Sequence, residues 1–129
     1  MIAVTGPRID PEALGAPAGV EVRGFVPRLY EHLAACDLAV VQGGLTTTME
    51  LVAARRPFLY FPLRNHFEQN RHVRHRLERY GAGRFMDYDA SPPEVIAAAI
   101  ADEIDRPVTS RPVERDGAAR AAAMIAELV

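Results

Sequence analysis

The sequence predicts an α/β fold in which a parallel sheet carries helices on both faces. Residues 38–41 and 58–61 form apolar runs rich in valine or aromatic residues, as buried parallel strands do. Stretches of helical composition follow these runs, and strands that alternate with helices predict a parallel sheet. The chain length of 129 residues is enough for one domain with a single hydrophobic core.

The composition limits the class of protein. Apolar residues make up 49% of the chain and charged residues 25%, as in ordinary soluble domains. The formal net charge of −2 argues against a general nucleic-acid binder. Cys36 is the only cysteine, so an internal disulfide is excluded and a small core side chain is expected. Neither a membrane-length apolar run nor a signal-peptide pattern is present, which makes the cytoplasm the expected location.

The N-terminal part of the chain predicts two strands and a helix. Residues 2–5 have strand-like composition, and a loop rich in proline and glycine follows them. A second strand is predicted over residues 20–25. Pro27 suits the first turn of a helix, which we expect to continue through Ala34.

The middle of the chain predicts a helix, a strand and a second helix. The first helix covers residues 45–54, and the strand at 58–61 lies between two prolines. The second helix is predicted over about residues 67–80. Asn65 and Glu68 precede its apolar face with the spacing of a capping pair.

The C-terminal part predicts a short strand and two helices. The strand covers residues 84–86. Ser91, two prolines and Glu94 together have the pattern of a helix start with a serine cap, and this helix is expected to reach Ile104. An alanine-rich helix is predicted from near Val113 to the end.

The beginning of the chain differs from that of a complete nucleotide-binding sheet. Such sheets usually open with a strand and a glycine turn that lies beneath the ligand. Here the first strand starts at the terminus and leads into a loop that contains proline. We therefore expect residues 1–129 to be one domain of a longer protein, lacking an opening β-α unit.

The segment of residues 36–50 is the centre of the functional prediction. It has the pattern of a buried strand, a turn of two glycines, Gly43 and Gly44, and a helix start. Threonines 46–48 lie in the first helical turn, where unpaired amides attract phosphate. Glu50 lies one turn deeper and could bring its carboxylate beside the bound group. Because no Walker or G-x-G-x-x-G pattern is present, an ordinary strand-to-helix turn is the alternative interpretation.

A set of short motifs occurs in a fixed order over most of the chain. The set resembles the C-terminal half of GT-B glycosyltransferases, in particular the peptidoglycan-type GlcNAc transferases and the UDP-glycosyltransferases. The resemblance implies a Rossmann-like half of a GT-B fold that binds a nucleotide-sugar. The matching pieces are Gly24-Phe25-Val26-Pro27, residues 37–46, Glu50, residues 57–62, Glu68-Gln69-Asn70 and Gly81-Ala82-Gly83.

The resemblance implies roles for two groups of residues that hold the nucleotide. Phe25 and Val26 match the place where the base packs, with the Val26 backbone against the edge of the base. The alternative for Phe25 is an ordinary core side chain. The loop whose amides hold the diphosphate corresponds to Gly43, Gly44, Leu45 and Thr46.

The resemblance also implies which residues hold the two sugars. Glu50 matches the carboxylate that takes the ribose hydroxyls, and two acceptor oxygens suit a diol. Glu68 and Gln69 match the pair that holds hydroxyls of the donor sugar. The alternative for Glu68 is a helix cap.

Gln42 departs from the family pattern, in which many members carry a histidine before the two glycines. Glutamine can donate a hydrogen bond to the diphosphate but cannot become cationic. We hypothesise that Arg64 supplies the missing positive charge, with His66 as the other candidate. His72 and His75 lie on an arginine-rich helix and are more simply surface residues. Two histidines three apart are weak evidence for zinc, and no metal or cofactor is expected.

The leading functional hypothesis is the donor-binding domain of a glycosyltransferase that moves a sugar from a nucleotide-sugar, favoured to be a UDP-sugar, to an acceptor hydroxyl. The resemblance implies that the acceptor site and the catalytic base belong to an N-terminal domain, present in cis or in trans. No catalytic residue is therefore assigned, and this chain alone is expected to be inactive.

Two other functions remain open. One is a sugar-nucleotide epimerase of the same fold, and the other is a non-catalytic nucleotide-sugar-binding or interaction subunit. Arginines between residues 64 and 84 leave room for a weak peripheral contact with a membrane surface. They lack the interleaved aromatic residues of a nucleic-acid site, and no nucleic-acid partner is expected.

Overall fold

The computed structural model describes residues 1–128, along which short strands alternate with helices. The paired strands are all parallel, which confirms the predicted α/β class. The chain divides into two compact units, Met1–Glu31 and His32–Val129. The described strands are β1 (Ile2–Val4), β2 (Glu21–Arg23), β3 (Ala39–Gln42), β4 (Phe58–Phe61) and β5 (Arg84–Phe85). The described helices are α1 (Leu29–Ala35), α2 (Leu45–Ala54), α3 (Arg74–Tyr80), α4 (Pro93–Ile104) and α5 (Gly117–Ala126).

The first unit contains a two-stranded parallel ladder. Ile2 of β1 lies opposite Glu21 of β2. The connection contains a 3₁₀ turn, Pro11–Leu14, and the side chain of Asp10 accepts a hydrogen bond of 3.0 Å from the Glu12 amide at its start. The strand β2 is shorter than the predicted range of 20–25, and Phe25 therefore lies beyond its end.

The second unit contains a three-stranded parallel sheet with the order β3-β4-β5. Ala39 of β3 lies opposite Phe58, and Leu59 of β4 lies opposite Arg84 of β5. Since β4 has a bonded neighbour on each side, its backbone groups are satisfied within the sheet and its side chains can be fully apolar.

The side chains of β4 alternate between two apolar clusters. Phe58 and Tyr60 join a cluster that includes Leu51 of α2 and Leu77 of α3, whereas Leu59 packs in the second cluster with Ala99 of α4. All six of these side chains are at most 2% exposed. Full burial of a leucine side chain stabilises the fold by about 1.5–3 kcal/mol. Helices therefore cover both faces of this sheet, as predicted.

The helix α2 has the predicted bounds, and local chemistry explains both ends. Gly44 is the N-cap residue, with an extended backbone at φ −71° and ψ 137°. At the other end, Arg55 adopts a left-handed conformation with φ 54°, and its amide donates to the Val52 carbonyl at 3.1 Å. Pro57 follows two residues later and cannot extend the helix.

The predicted helix over residues 67–80 is divided into two parts. A π-helical segment, Glu68–Val73, precedes α3, and Asn65 does not cap it because the N-cap residue is Phe67, without a side-chain bond. Amide side chains in this segment bond to the loop before it instead. Asn70 donates to the Leu63 carbonyl at 2.6 Å and to the His66 carbonyl at 2.9 Å. Such side-chain bonds to backbone compete with regular helix geometry.

The last two helices do not start as predicted: α4 has a different N-cap residue, and α5 starts later. Pro92, not Ser91, is the N-cap residue of α4 and provides no side-chain bond. The helix α5 starts at Gly117 and not near Val113 because the preceding segment has other contacts: Val113 packs against the first apolar cluster, and Arg115 donates to the Ala53 carbonyl. None of the helices within residues 1–128 has both the length and the apolar character that crossing a membrane requires.

Candidate functional site

The turn between β3 and α2 lies at the carboxyl edge of the three-stranded sheet. The Gly43 amide donates to the Phe61 carbonyl at 3.1 Å, which fixes this turn to the end of β4. A Cβ atom on Gly43 would lie 3.1 Å from the Pro62 Cα, so only glycine allows the two backbones to approach this closely. A Cβ atom on Gly44 would meet nothing within 4 Å, so the space beside the second glycine is open.

Three backbone donors at the start of α2 are free. Within residues 1–128, the amides of Leu45, Thr46 and Thr47 have no hydrogen-bond acceptor. Leu45 and Thr46 are exposed. The helix dipole adds partial positive charge at the same end of this ten-residue helix. This combination of amides and dipole favours an anion.

The third threonine of this turn does not belong with the other donors. The Thr48 amide donates to the Gly44 carbonyl at 3.1 Å, and the Thr48 side chain is fully buried. Its hydroxyl donates to the same carbonyl at 2.8 Å. The expectation that threonines 46–48 all present unpaired amides is therefore wrong for Thr48, which stabilises the helix start from inside.

Glu50 and Gln42 lie on either side of the free amides along the chain. Glu50 is half-buried, and no described residue forms a hydrogen bond or ion pair with its carboxylate. Glu50 is four residues after Thr46, which places both on one face of α2. Gln42 is the exposed last residue of β3. A carboxylate without a partner near free amides could accept hydrogen bonds from hydroxyl groups of a ligand.

The segment after β4 leaves the sheet at the same edge and is fixed by two amide side chains. Gln69 is 8% exposed, and its Oε1 accepts a hydrogen bond of 2.9 Å from the Leu63 amide. The Nε2 of Gln69 has no acceptor among the described residues. Gln69 can therefore offer a ligand its N–H groups, while its carbonyl oxygen holds the loop. Asn70 holds the same loop through Leu63 and His66.

The charged residues of this edge differ in their partners. Glu68 is exposed, and no described residue bonds to its carboxylate. Arg64 is exposed and forms an ion pair with Asp89. The hydrogen bond from Arg64 holds the pKa of the Asp89 carboxyl below its usual value. The hypothesised cation therefore already has a carboxylate partner, which a bound diphosphate would have to share or displace.

The histidines at positions 66, 72 and 75 have different surroundings in the structure. The His66 Nδ1 accepts a long hydrogen bond of 3.4 Å from the Gln69 amide. The His72 ring lies edge-on to Phe67 with ring centroids 5.3 Å apart, and His75 is exposed on α3. Among residues 1–128, the structure groups no three His, Cys, Asp or Glu residues in a way that could hold a metal ion.

The two residues predicted to hold the base belong to the first unit. Phe25 is 77% exposed, so its ring has apolar surface available for stacking. Val26 is 6% exposed. The high exposure of Phe25 argues against the alternative that it is an ordinary core residue.

Comparison with known proteins decides the family. Residues 9–129 match the family described as Glycosyltransferase family 28 C-terminal domain. The chain belongs to this family. A protein of Methanosarcina acetivorans named as an uncharacterized glycosyltransferase is 34% identical over 113 residues, which cover 87% of this chain and 29% of that protein. A similarly named protein of Methanosarcina mazei is 40% identical over 98 residues, covering 75% of this chain and 26% of that protein.

The family 28 C-terminal domain is only part of these relatives. A glycosyltransferase of Methanopyrus kandleri, also named as uncharacterized, is 34% identical over 119 residues, which cover 92% of this chain and 34% of that protein. The chain thus spans about a third or less of the length of these relatives. The C-terminal identity, the parallel α/β fold and the resemblance to glycosyltransferases were all correctly predicted.

One contributor to the site in this family 28 domain was not recognised from sequence. Asn70 was part of a motif but was given no role, and in the structure its side chain donates to two carbonyls of the loop after β4. An asparagine that follows a polar loop and precedes an apolar helical face is a signal for side-chain bonds to backbone, and it could have been used.

Proposed function

We propose that this family 28 domain is the donor-binding domain of a glycosyltransferase and that its donor is a nucleotide-sugar, favoured to be a UDP-sugar. The observation that carries the proposal is the set of free amides at Leu45, Thr46 and Thr47, one helical turn from the unpartnered carboxylate of Glu50. The free amides favour an anion, whereas the carboxylate favours groups that donate hydrogen bonds, such as hydroxyls. A nucleoside diphosphate offers both groups at adjacent positions.

The diphosphate would lie against the start of α2. The three amides would donate hydrogen bonds to phosphate oxygens in the open space beside Gly44, and the side-chain amide of Gln42 can add another hydrogen bond. These groups favour the leaving diphosphate, on which negative charge develops as the glycosidic bond breaks. Arg64 would add positive charge if it exchanged Asp89 for the diphosphate.

The two sugars and the base would contact different residues. Glu50 would accept hydrogen bonds from the ribose hydroxyls, and the exposed ring of Phe25, with the Val26 backbone, would contact the base. The donor sugar would meet Glu68 and the free Nε2 of Gln69. Gln69 would then act as a donor, since its oxygen is already bonded to Leu63.

Transfer to an acceptor hydroxyl requires groups that we place in the rest of the protein. We infer an N-terminal acceptor domain, in cis or in trans, that supplies the catalytic base, because the match to this chain covers only 26%, 29% and 34% of the length of the three relatives. The chain by itself should bind the donor without turning it over. We also propose that the protein is cytoplasmic and makes a weak contact with a membrane surface.

The proposal is tested by measuring nucleotide binding with calorimetry and thermal unfolding. UDP should stabilise the chain by about 2.7 kcal/mol at a concentration a hundredfold above its Kd. UDP should bind more tightly than GDP and more tightly than 2′-deoxy-UDP. Glu50→Gln should weaken UDP binding by about tenfold and reduce the preference over the deoxy nucleotide, because a charge-assisted hydrogen bond to ribose is lost.

The control is Glu94→Gln, an exposed residue in the first turn of α4. This variant should bind UDP as the wild type does. If no nucleoside diphosphate binds at millimolar concentration, the donor-binding function is wrong. If UDP binds equally to the wild type and Glu50→Gln, the assignment of the ribose to Glu50 is wrong.

A further inference from the structure

A cavity of about 400 Å³ lies at the amino edge of the three-stranded sheet, opposite the edge that carries the Gly43–Gly44 turn. Phe58, the first residue of β4, forms part of its wall. The turn between α3 and β5 and the segment after α4 form other parts. Cavities of this volume hold small ligands such as a sugar phosphate.

The cavity contains a buried hydroxyl group without a partner. Ser110 lines the cavity and is 5% exposed, and its Oγ has no hydrogen-bond partner among the described residues. A buried hydroxyl without a partner is unfavourable by an amount comparable to a lost hydrogen bond. A ligand oxygen that came within hydrogen-bond distance of the Ser110 Oγ would satisfy it.

Arginines dominate the charged part of the cavity wall. Arg56, Arg84 and Arg106 line it, and Glu103 is the carboxylate among the lining residues. Glu103 accepts from Arg106 at 3.0 Å and lies 3.6 Å from Arg84, while Asp102 accepts from Arg84 at 3.2 Å. Even when Asp102, which is not a lining residue, is counted, there are two carboxylates for three guanidinium groups, so the wall has a net positive charge.

Arg56 is the guanidinium without a carboxylate partner. Its Nε donates to the Ala34 carbonyl at 2.6 Å, which fixes the orientation of the group. Its two terminal nitrogens have no acceptor among residues 1–128. An oriented guanidinium with free N–H groups suits a phosphate or carboxylate.

The segment that carries Ser110 is held in place along its length. Arg55 donates to the Val108 carbonyl at 2.9 Å, and the Arg111 amide donates to the Tyr80 carbonyl at 2.9 Å. Val113 packs against the first apolar cluster. These contacts lie on both sides of Ser110 in sequence, so the cavity wall is a fixed part of the second unit.

We infer that this cavity binds a small molecule through an oxyanion group, either inorganic phosphate or the phosphate of a sugar phosphate. The anion would accept hydrogen bonds from Arg56, Arg106 and the Ser110 hydroxyl. This binding site lies at the other edge of the sheet from the proposed diphosphate site and does not depend on it.

The test is a titration of the ¹⁵N-labelled chain with inorganic phosphate, followed by NMR. The expected result is saturable shifts of the amides at residues 81–84 and 106–110. Arg56→Gln and Arg106→Gln should each weaken phosphate binding about tenfold. Arg76→Gln is the matched control, since Arg76 is an exposed arginine of α3 that does not line the cavity.

Ser110→Ala separates ligand binding from a structural role. Because the Ser110 hydroxyl has no partner in the fold, this variant should keep or raise the Tm while it weakens phosphate binding. A lowered Tm with unchanged phosphate binding would assign Ser110 to the fold alone and overturn the inference. No saturable shifts at the cavity, or shifts confined to the amides of Leu45, Thr46 and Thr47, would also overturn it.

Parallel titrations with glucose 1-phosphate and glucose identify the source of the anion. Tighter binding of glucose 1-phosphate than of inorganic phosphate supports a sugar phosphate, whereas equal binding supports the anion alone. Glucose should not bind, because the recognition depends on negative charge. Binding of glucose as tight as that of glucose 1-phosphate would contradict the inference.

Discussion

Gly83 shows how one residue without a side chain allows the core of the second unit to close. Its backbone has φ +69°, a conformation that L side chains rarely adopt. A Cβ atom there would lie 2.5 Å from the Cζ of Phe58, and that ring is 1% exposed. The turn between α3 and β5 can therefore contact β4 only when this position is glycine.

We predict that Gly83→Ala lowers the free energy of unfolding by about 3 kcal/mol, from a left-handed backbone and an overpacked core together. The matched control is Gly117→Ala, because Gly117 starts α5 and a Cβ atom there would meet nothing within 4 Å. The control should be neutral or stabilising by up to about 1 kcal/mol. Urea unfolding measures both, and equal stability of Gly83→Ala and the wild type would contradict the steric explanation.

The residues of α2 show which contacts of single residues can be predicted from the sequence. Residue type and spacing were enough to predict the free amides of Thr46 and Thr47 and the position of Glu50 one helical turn further on. They were not enough to separate Thr48, which turns its hydroxyl to the Gly44 carbonyl. The Thr48 amide has an acceptor because Gly44, four residues earlier, is the N-cap residue, and three adjacent threonines do not show where the N-cap lies.

At the scale of helices and strands, the bounds of an element were predicted correctly where the residues at its two ends determine them. The helix α2 has glycine before it and Pro57 after it, and β4 is a continuous apolar run between prolines, so both were predicted with the correct bounds. The π-helical segment Glu68–Val73 was missed because a helical apolar pattern does not show which carbonyl each amide meets. The cavity could not be predicted, since its wall comes from segments far apart in sequence.

At this scale we also predict that two asparagines near the loop after β4 differ in their effect on stability. Asn70 donates to the carbonyls of Leu63 and His66, whereas Asn65 makes no side-chain hydrogen bond within the described residues. Asn70→Ala should lower the free energy of unfolding by about 1 kcal/mol, because the carbonyls of Leu63 and His66 each lose their side-chain donor and keep only a backbone donor. It should also increase hydrogen exchange in the segment around Leu63 to His66.

The matched variant is Asn65→Ala, which the capping pattern of the sequence marks as the damaging change. The structure predicts the reverse, with the stability and exchange of Asn65→Ala close to those of the wild type. Equal losses in both variants would show that the loop depends on polarity in general and not on the bonds of Asn70. Hydrogen exchange with mass spectrometry, together with urea unfolding, measures both properties.

At the scale of the whole molecule, the second unit carries two separate candidate sites. The amides of α2 lie at the carboxyl edge of its sheet, and the arginine-lined cavity lies at the amino edge. All the residues that line the cavity belong to the second unit. Variants at one edge should therefore leave binding at the other edge unchanged.

On the alkaline side, the stability of the folded chain should fall with rising pH through two groups of the second unit, the half-buried Cys36 thiol and the hydroxyl of the buried Tyr60. Burial raises the pKa of the Cys36 thiol, which donates to the Leu33 carbonyl at 3.2 Å. Burial also raises the pKa of the Tyr60 hydroxyl. Both groups therefore hold their protons in the folded chain at pH values where the unfolded chain has released them.

The sign of the effect follows from this difference in bound protons. Above about pH 8.5, the usual value for a thiol, the unfolded chain binds fewer protons than the folded chain, so the free energy of unfolding falls as pH rises. Tyr60 adds a second decline above about pH 10. Each group can contribute a slope of at most about 1.4 kcal/mol per pH unit.

Cys36→Ala provides the control, because it removes the loss of stability caused by the thiol and keeps the loss caused by Tyr60. Urea unfolding of both proteins between pH 7 and about 10.5, which spans the usual thiol and phenol values, should show the wild type losing stability before the variant does. The absorbance of the thiolate should appear at higher pH in the folded wild type than in urea. Parallel loss of stability in both proteins up to about pH 9.5, where a thiol of ordinary pKa is ionised, would mean that the Cys36 thiol titrates as it does in the unfolded chain.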